Sequence, residues 1–155
     1  MLLLFTIKVK KLEEYEEIIM DNSKIIYLGL PYMNDDPNVM DFRADVSDLV
    51  AVDLAKKGHI VFAPISAWHN IAKIYDLPQD WAFWYSFDEE FIKHSGKLAI
   101  IMLYGWKIST GVTEEKELAI KYGLTIDYID PKPYVEQLGL ENNDIILTYG
   151  KTEYL

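Results

Sequence analysis

The stretch Gly105-Trp106-Lys107-Ile108-Ser109-Thr110-Gly111-Val112-Thr113-Glu114-Glu115-Lys116-Glu117-Leu118-Ala119 decides the fold. It follows the apolar run Leu98-Ala99-Ile100-Ile101-Met102-Leu103-Tyr104, so a buried strand empties into a Gly/Ser/Thr loop and then into a helix. In an open α/β sheet the space beyond the carboxyl end of such a strand is where ligands bind.

Three acidic residues crowd the start of that helix, and they are not equivalent. With Thr113 as N-cap, Glu115, Leu118, Ala119 and Tyr122 follow the i, i+3, i+4, i+7 spacing of one stripe, while Glu114, Glu117 and Lys121 fall on another. Glu115 therefore points where the apolar side chains point. A carboxylate in a first helical turn lies near unpaired amide N–H groups and the positive end of the macrodipole, which favours its ionised, nucleophilic form. The alternative is that acidic residues in a first turn are ordinary helix design.

Working outward, Lys24-Ile25-Ile26-Tyr27-Leu28-Gly29-Leu30-Pro31-Tyr32 reads as a buried strand that breaks at Gly and Pro into a polar loop. Gly29 lets backbone N–H groups approach a ligand closely. Over 41–57 the residues Phe42, Val46, Leu49, Val50 and Leu54 repeat at helical spacing, with Gly58 as the stop. Arg43 near the start of that helix is either an anion clamp or a solvated surface residue. His59-Ile60-Val61-Phe62-Ala63-Pro64 is a second strand, and residues 66–70 enter a loop or short helix that carries His69. Asp80 caps a helix through Trp81, Trp84, Phe87, Asp88, Phe91 and Ile92, whose apolar stripe holds one carboxylate, Asp88. A fourth strand covers 124–129, and Asp130-Pro131-Lys132-Pro133 marks a break before a short helix (134–138) and a possible strand (144–149). At the other end, residues 1–9 suit a strand and 11–19 a short helix.

The chain has 155 residues, half of them hydrophobic and 14% aromatic, enough for a single domain with a substantial core. A net charge of −10 argues against nucleic acid or an anionic membrane as the main partner. The chain has no cysteine, which excludes disulfides and thiolate metal sites and suits a cytoplasmic protein. The apolar run 1–7 is too short for a membrane span. His59, His69 and His94 lack metal-ligand spacing, and no metal or other cofactor is expected.

The run Gly111-Val112-Thr113-Glu114-Glu115-Lys116-Glu117-Leu118-Ala119 resembles the signature of the nucleoside 2-deoxyribosyltransferase family and of the related 2'-deoxynucleoside 5'-monophosphate N-glycosidases. It is similar still more closely to small phage and bacterial relatives of mostly unassigned function. The resemblance implies a flavodoxin-like (Rossmann-like) three-layer α/β domain with a mostly parallel sheet, a core over 24–130, and added elements at 1–23 and 131–155. It implies that Glu115 is the nucleophile, that Tyr27 hydrogen-bonds it, and that the loop with Pro31 and Tyr32 lies along the sugar. Asp88 matches the family's second acidic residue, which helps protonate the departing base. Ser109, six residues before the Glu, matches a phosphate ligand of the nucleotide-cleaving relatives. With Thr110 and Gly111 it would hold a 5'-phosphate at a helix N-terminus. His69 would contact the base or leaving group, the alternative being a hydrogen-bonded structural histidine. Ser95-Gly96-Lys97 departs from the family, which usually has Asp at the entrance to the third strand. The family is usually oligomeric, so a homo-oligomer is expected, and in some relatives a chain end such as Tyr154 and Leu155 completes a neighbour's site.

Cleaving an N-glycosidic bond needs help at both ends: the anomeric carbon gains oxocarbenium character and the leaving base must be protonated. Two carboxyl groups in different states supply this. The expected partner is thus a small-molecule nucleoside or nucleotide, cleaved through a covalent glycosyl intermediate on Glu115. The competing class is a nucleotide-binding or regulatory module that keeps the pocket without turnover, and a third is a purely structural small protein.

Overall fold

The computed structural model describes residues 24–139. The expected elements before residue 24 and after 139, including Tyr154 and Leu155, lie outside them. The chain runs β1 (Ile26–Gly29), α1 (Pro37–Lys56), β2 (Val61–Phe62), α2 (Pro64–Ile74), α3 (Trp81–Lys93), β3 (Lys97–Ile101), α4 (Thr110–Lys121), β4 (Thr125–Ile129) and α5 (Lys132–Gln137). All three strand pairings are parallel, in the order β2-β1-β3-β4. This is a flavodoxin-like α/β sheet, whose topological switch point lies between β1 and β3.

β1 and β3 are the central strands, and their residues divide strictly between the two faces, as period-2 geometry requires. Ile26, Leu28, Ala99 and Ile101 pack with Phe42, Val46 and Val50 of α1 and Val135 of α5. Tyr27, Leu98 and Ile100 pack on the opposite face with Ile92 of α3 and Val112, Leu118 and Ala119 of α4. Burial on both faces explains why these two strands read as unbroken apolar runs.

Boundaries differ from expectation where a cap or a proline decides. α1 begins at Pro37, four residues before the expected start, because the Asp36 side chain accepts from the Asn38 N–H at 2.9 Å and Pro suits a first helical position. The second strand shrinks to Val61–Phe62 because Pro64 cannot donate to a ladder and instead opens the eleven-residue helix α2. That helix replaces the expected loop or short helix around His69. The third strand ends at Ile101 rather than 104, where Leu103 N–H turns back to the Ile101 carbonyl. α4 is capped by Ser109, not Thr113: Ser109 Oγ accepts from Val112 N–H at 3.3 Å, while the Thr113 hydroxyl back-bonds to the Ser109 carbonyl at 2.8 Å. Among the described residues, no helix is long and apolar enough to cross a membrane.

Leu28 is fully buried in a central strand. Leu28→Ala is expected to lower stability by about 2–5 kcal/mol with an unchanged urea slope, measured by equilibrium denaturation.

Candidate functional site

Three parallel strands deliver loops to one end of the sheet, and there a cavity of about 630 Å³ opens. This lies within the roughly 300–1,000 Å³ range of small-molecule sites. Its walls are mainly apolar, with Leu30, Pro31, Trp68, Trp81, Trp84 and Ile108 prominent. The Trp84 indole N–H is already satisfied by the Pro78 carbonyl at 2.8 Å, so its ring serves as wall rather than as a donor.

At the switch point two carboxyl groups share one phenol. Tyr27 Oη donates to Asp88 Oδ1 at 2.7 Å and lies 3.3 Å from Glu115 Oε1. Tyr27 reaches them from β1, Asp88 from α3 and Glu115 from α4, and all three are buried. Glu115 follows Val112 on the buried stripe of α4 and precedes Leu118 and Ala119. Gly29 makes room for it: a Cβ there would overlap Glu115 Oε2. Gly29 thus supports the carboxyl group from beneath instead of lining the cavity.

A phenol has one proton. When Tyr27 donates it to Asp88 along the short bond, the longer contact is satisfied by a protonated Glu115 donating to the phenolic oxygen. Burial pushes the Glu115 carboxyl well above its ordinary range; the Asp88 charge adds to this and the Tyr27 bond opposes it. Burial likewise lifts Asp88 to about 6 against the same opposing bond, and lifts Tyr27 well above 10 together with the two carboxylates. Glu115 Oε2 has no hydrogen-bond partner although it is buried.

This corrects the expectation of an ionised Glu115 in a first helical turn. With Ser109 as the cap, Glu115 falls in the second turn, where the macrodipole, worth about 0.3–1 kcal/mol, has already faded. Burying a carboxylate costs several kcal/mol even after relaxation. Burial wins, and the protonated form is favoured.

The other expected site residues divide by wall. Pro31, Tyr32, Arg43, His69, Ser109, Thr110 and Gly111 all line the cavity. Ser109 uses an oxygen lone pair as the cap of α4, which leaves its hydroxyl proton for a ligand. Arg43 is buried, not solvated: its guanidinium donates to the Met33 carbonyl at 3.0 Å and the Tyr104 carbonyl at 3.3 Å, tying the loop after β1 to the loop after β3. His69 is buried between Tyr32 and Asp41. Asp41 was missed from sequence, and so were the walls Trp68, Trp81 and Trp84 as pocket residues; the i, i+28 pairing of Asp41 with His69 leaves no local signal. Ser95 to Lys97, where the resemblance breaks, enter β3 at its amino end, away from the pocket. Among the described residues, no cluster of three potential metal ligands occurs.

The class is therefore a flavodoxin-like α/β domain with a buried two-carboxyl, one-phenol pocket at its switch point. The chain belongs to the DUF1937 family, a domain of unknown function, which matches residues 24–129. That family carries no stated activity. The chain matches no curated protein.

A raised carboxyl pKa contributes stability that is complete below the unfolded value and lost as pH rises through the folded one. For Asp88 the window runs from 3.8 to about 6, and for Glu115 it opens at 4.5 and extends upward. Glu115→Gln copies the protonated form, so at pH 8 it is expected to melt above wild type, with the gain shrinking as pH falls toward 4.5. A variant less stable than wild type at pH 8 would show that Glu115 is held as a carboxylate. Gly29→Ala is expected to cost about 1–3 kcal/mol by overpacking, and much less in a Glu115→Ala background, measured as a double-mutant cycle.

Proposed function

We propose that this protein is a nucleoside 2-deoxyribosyltransferase-like N-glycosidase that cleaves or exchanges the base of a (deoxy)nucleoside or its 5'-monophosphate. The observation that supports this most is the Tyr27 hydroxyl held between Asp88 and Glu115 at the floor of an aromatic-walled cavity. The two hydrogen bonds laid end to end are shorter than the roughly 6.5 Å at which inverting carboxyl pairs begin. The close approach of these two oxygens favours a retaining, covalent route over an inverting one.

That route needs Glu115 ionised and Asp88 protonated, the reverse of the order that burial favours. Tyr27 provides the exchange: Glu115 gives its proton to the phenolic oxygen as the phenol gives its own to Asp88. A sugar hydroxyl donating to the Glu115 carboxyl group stabilises the carboxylate that results. Glu115 then attacks the anomeric carbon, the C–N bond breaks, and Asp88 protonates the departing nitrogen. Water or a second base displaces Glu115 from the same face. Ser109 with the first N–H groups of α4 supplies a place for a 5'-phosphate, if the substrate carries one.

The second reading, a nucleotide-binding module without turnover, draws on the same proton held on Glu115, since a protonated carboxyl is no nucleophile. Incubation with a panel of deoxynucleosides and their 5'-monophosphates separates the two. The enzyme releases free base, Glu115→Ala abolishes release, and Asp88→Asn lowers it about 100- to 10,000-fold. A raised melting temperature with no base released from any substrate favours the module.

A further inference from the structure

The helices that wall the cavity turn a second, outward face to solvent, and that face is aromatic. On α3, Phe83, Phe87 and Phe91 follow one another at i, i+4, i+8 and are 37%, 40% and 40% exposed. On α2 and its C-cap, Ile71, Ile74 and Tyr75 are exposed as well. Ring contacts join the two helices. Trp68 of α2 lies 5.4 Å from Trp84 and 5.9 Å from Phe87, centroid to centroid, and Phe83 lies 4.9 Å from Trp84. At its far end the stripe reaches the edge strand β2, where Phe91 stacks on Phe62 at 3.8 Å. Soluble monomers seldom leave a contiguous apolar patch of this kind open to water, and such patches mark contact surfaces.

Charge decides what can cover it. Residues 59–87 carry three charged side chains, Lys73, Asp76 and Asp80, a share well below half the 26% of the whole chain. The run Trp81 to Phe87 carries none. Depletion of charge with enrichment of aromatic residues is the compositional mark of an interface core. On a chain with a net charge of −10, this is a face that a second copy can approach without like charges meeting at its centre.

The order of residues along α3 suits a copy of itself. Phe87 is the midpoint of the stripe, so a two-fold axis through it sets Phe83 against the partner's Phe91 and Phe87 against its own counterpart. Charges lie at the two ends of the helix, Asp80 at its start and Lys93 and His94 at its finish. The same axis runs the two helices antiparallel and brings Asp80 toward the basic end of its partner, whereas a parallel pairing would set Asp80 against Asp80. Glu90, 64% exposed, lies on the rim 3.9 Å from Lys93 of its own chain.

We propose that the α2–α3 face is the contact between two copies of this chain, related by a two-fold axis at Phe87. The contact is isologous, so it closes on itself and ends at a dimer. It also backs the aromatic wall of the cavity, because Trp68 and Trp84 touch Phe87 and line the cavity as well. The assignment stands apart from the N-glycosidase reading and holds whatever the cavity takes.

The test uses the full chain, whose lack of cysteine makes thiol chemistry specific. Sedimentation equilibrium of the wild type is expected to give a dimer. Phe87→Glu sets two carboxylates against each other on the axis and is expected to raise the dimer Kd about 100-fold, with an unchanged circular dichroism spectrum. Phe87→Cys is expected to be joined into a covalent dimer by a short bismaleimide. Val52→Cys, comparably exposed but on α1 across the sheet, is expected to stay single. The cross-link is read on a small, uncharged side chain, so it tests the face even if Phe87→Glu fails to fold. A monomeric wild type, a folded Phe87→Glu that dimerises as the wild type does, or cross-linking at 52 as efficient as at 87 overturns the proposal. A monomeric wild type that floats with phosphatidylcholine vesicles overturns it and assigns the stripe to lipid instead.

Discussion

One hydroxyl between two carboxyl groups is the constraint on which the rest of the site depends. Tyr27 can place it there because β1 is a central strand, buried on both faces and hydrogen-bonded on both edges, so the phenol has no freedom to swing away. Gly29, two residues on and on the same face, removes the side chain that would displace Glu115. Ile92, one turn beyond Asp88 on α3, and Leu118 and Ala119 beyond Glu115 on α4 anchor both helices on the sheet, so each carboxyl is aimed by apolar packing rather than by its own bonds. The resulting trio has fewer protons than oxygen atoms that want them, and Glu115 Oε2 is the atom left unsatisfied.

The balance of forces there is lopsided. A helix start attracts negative charge weakly and only over its first turn, whereas exclusion from water penalises it strongly. Burial therefore favours the proton on Glu115. The opposite wall is built on other terms. Asp41 stands partly in water with Lys73 beside it, which holds its carboxyl below the ordinary range, and it bonds His69, which in turn bonds Tyr32. Two acidic groups of similar chemistry are thus shifted in opposite directions within one domain, Glu115 upward by burial and Asp41 downward by Lys73.

Much of the fold was legible where local chemistry is strong. β1 and β3 are continuous apolar runs, Asp80 before an apolar stripe marks α3, and Gly123 follows α4 with a positive φ that a side chain resists. The errors fall where two local signals compete. Thr113 and Ser109 are both good caps, and the choice turned on Thr113 spending its hydroxyl on the preceding turn. His59 to Pro64 has strand composition, yet the strand covers only Val61 and Phe62 before Pro64 opens a helix.

Periodicity by itself determined that Glu115 and Asp88 lie on the apolar stripes of their helices, because a 3.6-residue repeat assigns faces without knowing what they face. The resemblance implied a mostly parallel sheet, and the alternation of strand and helix runs agrees with it, while the parallel sense of each pairing came from the structure. Only the tertiary structure decided that the two carboxyl groups meet over one phenol, that Arg43 is buried between two loops, and that His69 joins Tyr32 to Asp41. Those pairings span 10 to 88 residues of chain. Protonation was decided there as well, because it depends on how much water the folded chain leaves around each group.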